Sequence, residues 1–382
     1  MRTTLFWLLL LAELTSITLG VWLIFAKNDF LLGAVFLVVS YLLSIVIQRM
    51  TRYLVKINAL KKAFRKGDYR EAENILLEAM ELAAKFKSTD PRIAELWNAL
   101  GVHYLDHAEY TEAERCLQRA MTLREQLFGA DHFLVGECLY YLGRLQVCKG
   151  QLSDAERNLL RARESVIGHA KLGQLYLPLV LSCLSSLRLA QGKSAEAERF
   201  AVEAREMLET GPWRERSPMA SALYDLAVIY LKQGKLAEAE PLFTQSISLW
   251  KKASAGEASY LVGPLRGLAE VHFQRKQFDQ AHELLSRAEA LMKDNHGNEH
   301  PALAGIYHQQ AALSAAEQDD LKAEALFRQA LQMVERFYGA EHRDVAEVLS
   351  DYADFLKKRG RDKEAAELSR PGSSSGAPAR PV

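Results

Sequence analysis

Residues Asn98–Ala120 read NALGVHYLDHAEYTEAERCLQRA, and residues Tyr140–Ala162 read YYLGRLQVCKGQLSDAERNLLRA. The two stretches align at a spacing of 42: Leu100-Gly101 falls over Leu142-Gly143, Ala113 over Ala155, Leu117 over Leu159 and Ala120 over Ala162. Outward in both directions the first alanine column continues as Ala72, Ala113, Ala155, Ala197, Ala239, Ala281, Ala323 and Ala365, in steps of 41 and then 42. Seven residues on stand Ala79, Ala120, Ala162, Ala204, Ser246, Ala288 and Ala330, and twelve residues before it stand Leu60, Gly101, Gly143, Ser185, Ala227, Ala269, Ala311 and Ala353. Small side chains at fixed helical positions let two helices approach closely, while Leu76, Leu117, Leu159, Phe243, Leu285 and Phe327 fill the space beside them.

Between the halves of many units lies a glycine after a cationic or amide residue: Lys66-Gly67, Lys149-Gly150, Gln191-Gly192, Gln233-Gly234 and Arg359-Gly360. That is a helix C-terminal signature, so each unit is expected to be helix, short turn, helix. No alternating apolar run suggests strands. Unit seven reads one residue short around Asp320-Leu321.

With Leu100-Gly101, Tyr104, Ala113 and Ala120 in these positions, the units resemble tetratricopeptide repeats. The 42-residue period is similar to the long-helix repeats of kinesin light chains, whose inter-repeat turn is matched by Gly129-Ala130-Asp131-His132, Gly297-Asn298-Glu299-His300-Pro301 and Gly339-Ala340-Glu341-His342. The resemblance implies an all-α fold, an α-solenoid of about eight tetratricopeptide-like repeats over residues 51–370, with peptide binding in its groove. Residues 371–382, rich in Ser, Gly and Pro, are expected to form a disordered tail.

Lys plus Arg and Asp plus Glu balance at 48 each, so no overall field favours nucleic acid. Cys116, Cys138, Cys148 and Cys183 fall on apolar helix positions without metal or disulfide spacing and read as reduced core thiols.

Residues 1–50 are expected to form a transmembrane hairpin. Leu5–Ala26 and Phe30–Ile47 are apolar runs of bilayer length, separated by Lys27, Asn28 and Asp29. Arg2 lies on one side, and Arg49, Arg52, Lys56, Lys61, Lys62, Arg65 and Lys66 follow the second run on that same side, which places both termini in the cytoplasm of a bacterial inner membrane. Glu13, the ionisable residue within the first run, is expected to make an intramembrane contact, with Ser40 or Ser44 within the hairpin or, as the alternative, with a membrane partner.

In such an array the first helix of each repeat lines the concave face. The third residue before the Gly/Ala column is Asn98, Tyr140, Ser182, Tyr224, Arg266, His308 and Ser350, and the residue after it includes Arg144 and Glu270. A core column would read Leu or Ala. Asn98, Tyr140, Arg144, Ser182, Tyr224, Arg266, Glu270 and His308 are therefore the predicted groove residues, in a palette rich in the aromatic and Arg side chains of binding hot spots. His103 and His107 are four apart on one helix but lack a third ligand, and the turn histidines are expected to cap helices locally. No nucleophile constellation or phosphate-binding glycine loop appears, so no enzyme activity, cofactor or metal is expected. The chain reads as a membrane-anchored adaptor for a protein or peptide partner. The alternatives are a structural subunit of a membrane or envelope complex, self-assembly included, and a ligand-sensing regulator.

Overall fold

The computed structural model describes residues 11–12, 14–19, 21–22, 30–66, 71, 74–78, 91–167, 173–210, 217–253 and 259–368. Among them the regular structure is helical: α1 (Phe30–Lys66), α2 (Pro91–Asp106), α3 (Tyr110–Phe128), α4 (Phe133–Cys148), α5 (Leu152–Ile167), α6 (Gly173–Ala190), α7 (Ser194–Thr210), α8 (Ser217–Lys232), α9 (Leu236–Ala253), α10 (Val262–Gln274), α11 (Phe278–His296), α12 (Ala302–Ala316), α13 (Asp320–Tyr338), α14 (Arg343–Lys358) and α15 (Asp362–Leu368). Cα packing divides the chain into two compact units: Met1–Phe64 with Asp68–Leu96, and Arg65–Gly67 with Trp97–Val382.

In the first unit the apolar run from Phe30 opens a long helix. It continues without a break into the basic stretch, as one helix of 37 residues. The Ser16 hydroxyl donates to the Phe36 carbonyl at 2.8 Å, and Lys56 pairs with Glu78. Leu11, Leu14, Val35, Val38 and Leu42 are each more than half exposed. Among the described residues no helix is long and apolar enough to cross a membrane. The expected two-span integral membrane placement, with both termini cytoplasmic, is corrected on that finding. Glu13, most of the first apolar run and the tail from 371 lie outside the described residues.

The second unit is the solenoid. First and second helices of a pair pack together (α4 with α5, α6 with α7, α8 with α9, α10 with α11, α12 with α13), and each second helix packs on the next first helix. The small-residue columns lie at these contacts. Ala113, Ala155, Ala197, Ala239, Ala281, Ala323 and Ala365 are wholly buried, as are Ala120, Ala162, Ala204, Ser246, Ala288 and Ala330. A Cβ on Gly101 would stand 2.7 Å from Leu117 Cγ, and one on Gly143 2.6 Å from Leu159 Cγ, so glycine here is a requirement of close approach.

The turn within each pair is kept in conformation where it is not kept in sequence. Ala108, Gly150, Gly192, Gly234, Lys276, Gln318 and Gly360 recur every 42 residues, and all have φ between 59° and 77°. Three of them are not glycine, and each tolerates a left-handed backbone that costs roughly 1 kcal/mol. Gln318 stands in register with the others, so unit seven is not one residue short. The glycine expectation missed this because Ala, Lys and Gln carry no left-handed signature.

From Gly150 onward, the residue before each of these positions reaches back to the previous pair. Lys149 donates to Glu114 (2.8 Å), Gln191 to Glu156 (2.8 Å), Gln233 to Glu198 (2.9 Å) and Arg275 to Glu240, and in the next rung His282 and Glu317 meet at 2.8 Å. Hydrogen bonds from Arg188 and Gln191 hold Glu156 down to about 2. These rungs join each pair to the last at a regular rotation.

That rotation brings the array back on itself. Tyr110 stacks on Tyr338 with centroids 6.0 Å apart, and His342 Nε2 lies 3.2 Å from the Cys148 carbonyl oxygen, 194 residues away in sequence.

Candidate functional site

The first helices α4, α6, α8, α10, α12 and α14 contact one another in succession, and no comparable contact joins the second helices among the described residues. The first helices therefore form the inner layer. A first helix is packed on its pair mate and on both neighbours, which leaves one narrow stripe for the interior.

That stripe is the residue after the Gly/Ala column. Val102, Arg144, Ser186, Val228, Glu270 and Ala312 are all half-buried, and Asp354, near the end, is exposed. Arg144 keeps 40% of its side-chain surface while its guanidinium donates to Asp106 Oδ1 at 2.9 Å. Burial alone would lower the Arg144 pKa, but Asp106 and the Tyr140 phenol outweigh it and raise the value. Glu270 accepts from Gln274 at 2.9 Å and from Gln309 at 3.4 Å.

The other predicted column is more deeply set, and its members reach the neighbouring pair. Asn98 is 6% exposed and accepts from the Cys138 thiol at 3.4 Å. Tyr140 is buried in a cluster with Val180, Cys183 and Leu184, its ring 4.8 Å from that of Tyr141. The Ser182 hydroxyl bonds Asp225 of the next first helix, Arg266 Nε donates to Gln309 Oε1 at 2.8 Å, and His308 Nε2 meets Asp351 Oδ2 at 2.8 Å. Tyr224 and Arg266, one period apart, press onto glycines one period apart. A Cβ on Gly263 would stand 3.1 Å from the Tyr224 ring, and one on Gly305 2.5 Å from the Arg266 guanidinium. Burial lowers the Arg266 pKa, and Tyr224, Asp344, Glu347 and Glu270 oppose that fall. The eight predicted residues thus share one layer, Arg144 and Glu270 on its accessible stripe and the others bracing adjacent helices.

Pattern reading missed Asp225, because an Asp beside Tyr224 carries no periodic signal. Burial pushes its carboxyl up to about 7, against hydrogen bonds from Ser182 and Ser186 that lower it. A carboxyl raised in the folded state gives stability that is full below its unfolded value, near 3.9, and is lost as pH rises towards 7. Asp225→Asn is therefore expected to match the native chain at pH 4 and to exceed it by about 1–2 kcal/mol at pH 8, after allowance for solvent at this partly exposed group. Urea midpoints at the two pH values check this.

The turn histidines cap helices. His132, His300 and His342 accept through Nδ1 from the main-chain N–H of Leu134, Ala302 and Asp344, at 3.3, 3.1 and 3.2 Å. The four thiols are free, and burial pushes Cys116 up to about 11 and Cys138 up to about 12, so neither is poised as a nucleophile. Among the described residues no group of three or more His, Cys, Asp or Glu side chains is arranged to hold a metal ion.

A family model described as "Tetratricopeptide repeat" matches residues 92–166, 218–294 and 302–370. No curated protein sequence matches the chain. Among solved structures the chain is similar to a Rap protein complexed with Competence and Sporulation Factor (TM-score 0.57, 11% identity, covering 83% of this chain and 96% of that one). Another is aspartyl phosphate phosphatase F from Bacillus subtilis (TM-score 0.52, 14% identity, 86% and 96%). A kinesin light chain of nearly identical repeats from Podosopora anserina gives TM-score 0.38 at 20% identity, over 49% of this chain and 89% of that one. At these identities the likeness is one of fold alone.

Proposed function

The chain belongs to the tetratricopeptide-repeat family, and from that premise we propose that the inner layer of its first helices receives an extended segment of a partner protein. The repeat array is a protein-interaction scaffold, and the observation that carries the finer reading is the unbroken half-buried stripe from Val102 to Ala312. A core stripe would be closed and apolar. This one alternates Val102, Arg144, Ser186, Val228, Glu270 and Ala312, which offers shallow apolar seats between donors and acceptors suited to a peptide's main-chain amides. The similar Rap protein was solved with Competence and Sporulation Factor, which agrees with a segment held by such an array.

Binding draws on rigidity. Tyr140, Tyr224 and Arg266 are locked against neighbouring helices, so a partner meets a surface already ordered and loses less freedom on docking. Tyr140→Ala is a poor probe because that ring is part of the core. A photo-crosslinking amino acid at Val228 on the inner stripe is expected to give discrete adducts in cells, and the same residue at Leu160, on the second helix α5, none. Equal adducts from both positions would overturn the inner-face reading.

A further inference from the structure

Four imidazoles lie side by side where the array returns on itself. His103 and His107, one turn apart on α2, have ring centroids 4.3 Å apart; His107 stands 4.9 Å from His296 at the end of α11, and His296 4.6 Å from His300. His103 is almost wholly buried. His107 donates through Nδ1 to the His103 carbonyl at 2.9 Å. His300 accepts the Ala302 N–H through its own Nδ1 and is thereby in its neutral form. A fifth ring completes the seam: with Nδ1 of His342 accepting from Asp344 N–H, its proton sits on Nε2 and is donated to the Cys148 carbonyl. Beside the rings is a cavity of about 850 Å³ whose lining includes Tyr110, Lys149 and Tyr338.

We propose that this histidine seam is a proton-operated clasp: neutral rings pack and hold the superhelical turn closed, and protonated rings repel across the seam and let the two ends of the turn part, widening the inner face. The clasp belongs to the solenoid itself and does not depend on the inner face having a partner. Each proton taken up places a positive charge within 5 Å of another imidazole, among rings that are half-buried or buried and so only partly screened.

Charged groups also face the seam. Glu109 and Glu112 at the start of α3, Lys149 at the end of α4 and Glu299 in the turn before α12 border the cavity; Lys149 is tied to Glu114 and Glu299 to Arg336. The Tyr104 ring lies 5.8 Å from His103, Tyr110 and Tyr338 are phenols at the cavity wall, and Asp344 Oδ1 lies 3.8 Å from His342. Burial and then the neighbouring imidazoles push His103 down to about 4 and His296 to about 3; burial pushes His300 to about 4 against a hydrogen bond from the ring to the Asp106 main chain, with His107 adding to the fall. A closed-state value below the free value near 6.5 means that closure is fully favoured above pH 6.5 and is lost as pH falls towards 4. With the half-buried His296 and His300 discounted for solvent, the closed-to-open ratio falls about a hundredfold between pH 7.5 and 5.5.

The test is small-angle scattering of the full chain at pH 7.5 and 5.5, with far-UV circular dichroism to show that the helices persist, and histidine-selective NMR titration. The native chain is expected to expand at pH 5.5 with its helicity kept, and histidines of the seam to titrate below the free value, in step with the expansion. The variant His103→Gln, His107→Gln, His296→Gln, His300→Gln is expected to lose most of the expansion. Should it fold poorly, His296→Gln alone is expected to move the midpoint of expansion to lower pH. No expansion in the native chain, the same expansion in the quadruple variant, or imidazoles that all titrate near 6.5 would overturn the clasp.

Discussion

Phe243→Ala is expected to cost about 3–5 kcal/mol and to split the unfolding of the solenoid into two transitions. Phe243 is wholly buried among Ala227, Ala239 and Val271, with Leu268 and Tyr224 packed at its edges. Its ring also reaches the next first helix, where a Cβ on Gly267 would stand 2.3 Å from Cε1. Alanine would leave a void between the α8–α9 pair and α10, and the surrounding helices cannot collapse into it without losing their contacts on the other side. In a repeat array, stability is a chain of nearest-neighbour terms, so one weakened interface uncouples the segments on either side. Urea denaturation followed by circular dichroism should show a first transition with reduced slope, where the native chain gives a steeper one. Phe243→Leu should cost less than about 1.5 kcal/mol, since Leu117, Leu159 and Leu285 hold the same place in other pairs.

Arg124→Met is expected to be nearly as damaging, at about 3–5 kcal/mol, for a different reason. The guanidinium is 4% exposed and satisfies three groups at once: the Leu134 carbonyl at 2.7 Å, Glu137 Oε2 at 3.0 Å and the Cys138 sulfur at 3.2 Å. Burial tends to lower its pKa, but Cys138 and Glu137 raise it further, so the charge is held. Methionine fills the volume and leaves Glu137, its side chain 13% exposed, as a poorly solvated carboxylate supported by the Tyr176 hydroxyl at 2.7 Å. Adding Glu137→Gln to Arg124→Met should recover more than half of the loss, and a double-mutant cycle by urea denaturation gives the coupling. If the pair were worth no more than an exposed ion pair, the single substitution would cost under 1 kcal/mol.

The parts of the fold legible in sequence were those enforced by close packing. Ala113, Ala155 and Ala197 declare a period because no larger side chain fits where helices touch, and the wholly buried columns follow from that. Conformation without composition was not legible: Ala108, Lys276 and Gln318 adopt the left-handed turn that Gly150 advertises. The inter-pair rungs could have been found, since Glu114, Glu156, Glu198 and Glu240 keep the period, but their partners change among Lys, Gln and Arg. The seam could not. Tyr110 with Tyr338 and Cys148 with His342 meet only because many small rotations add to one turn, a quantity that no local pattern contains. The expected membrane placement rested on the length of the apolar runs and on the Lys/Arg bias, and it falls because no helix among the described residues is long and apolar enough to cross a membrane.

The rungs between pairs also bear on how such a gene can change length. In four of them the carboxylate comes from the earlier second helix, at Glu114, Glu156, Glu198 and Glu240, and in the fifth the order is reversed, His282 leading and Glu317 answering. Recombination that removed a 42-residue block starting between Glu240 and Arg275 would set Glu240 against Glu317, and one that copied it would set His282 against a second Arg275. Either product starts with a mismatched joint, which a block bounded within the four earlier rungs would not.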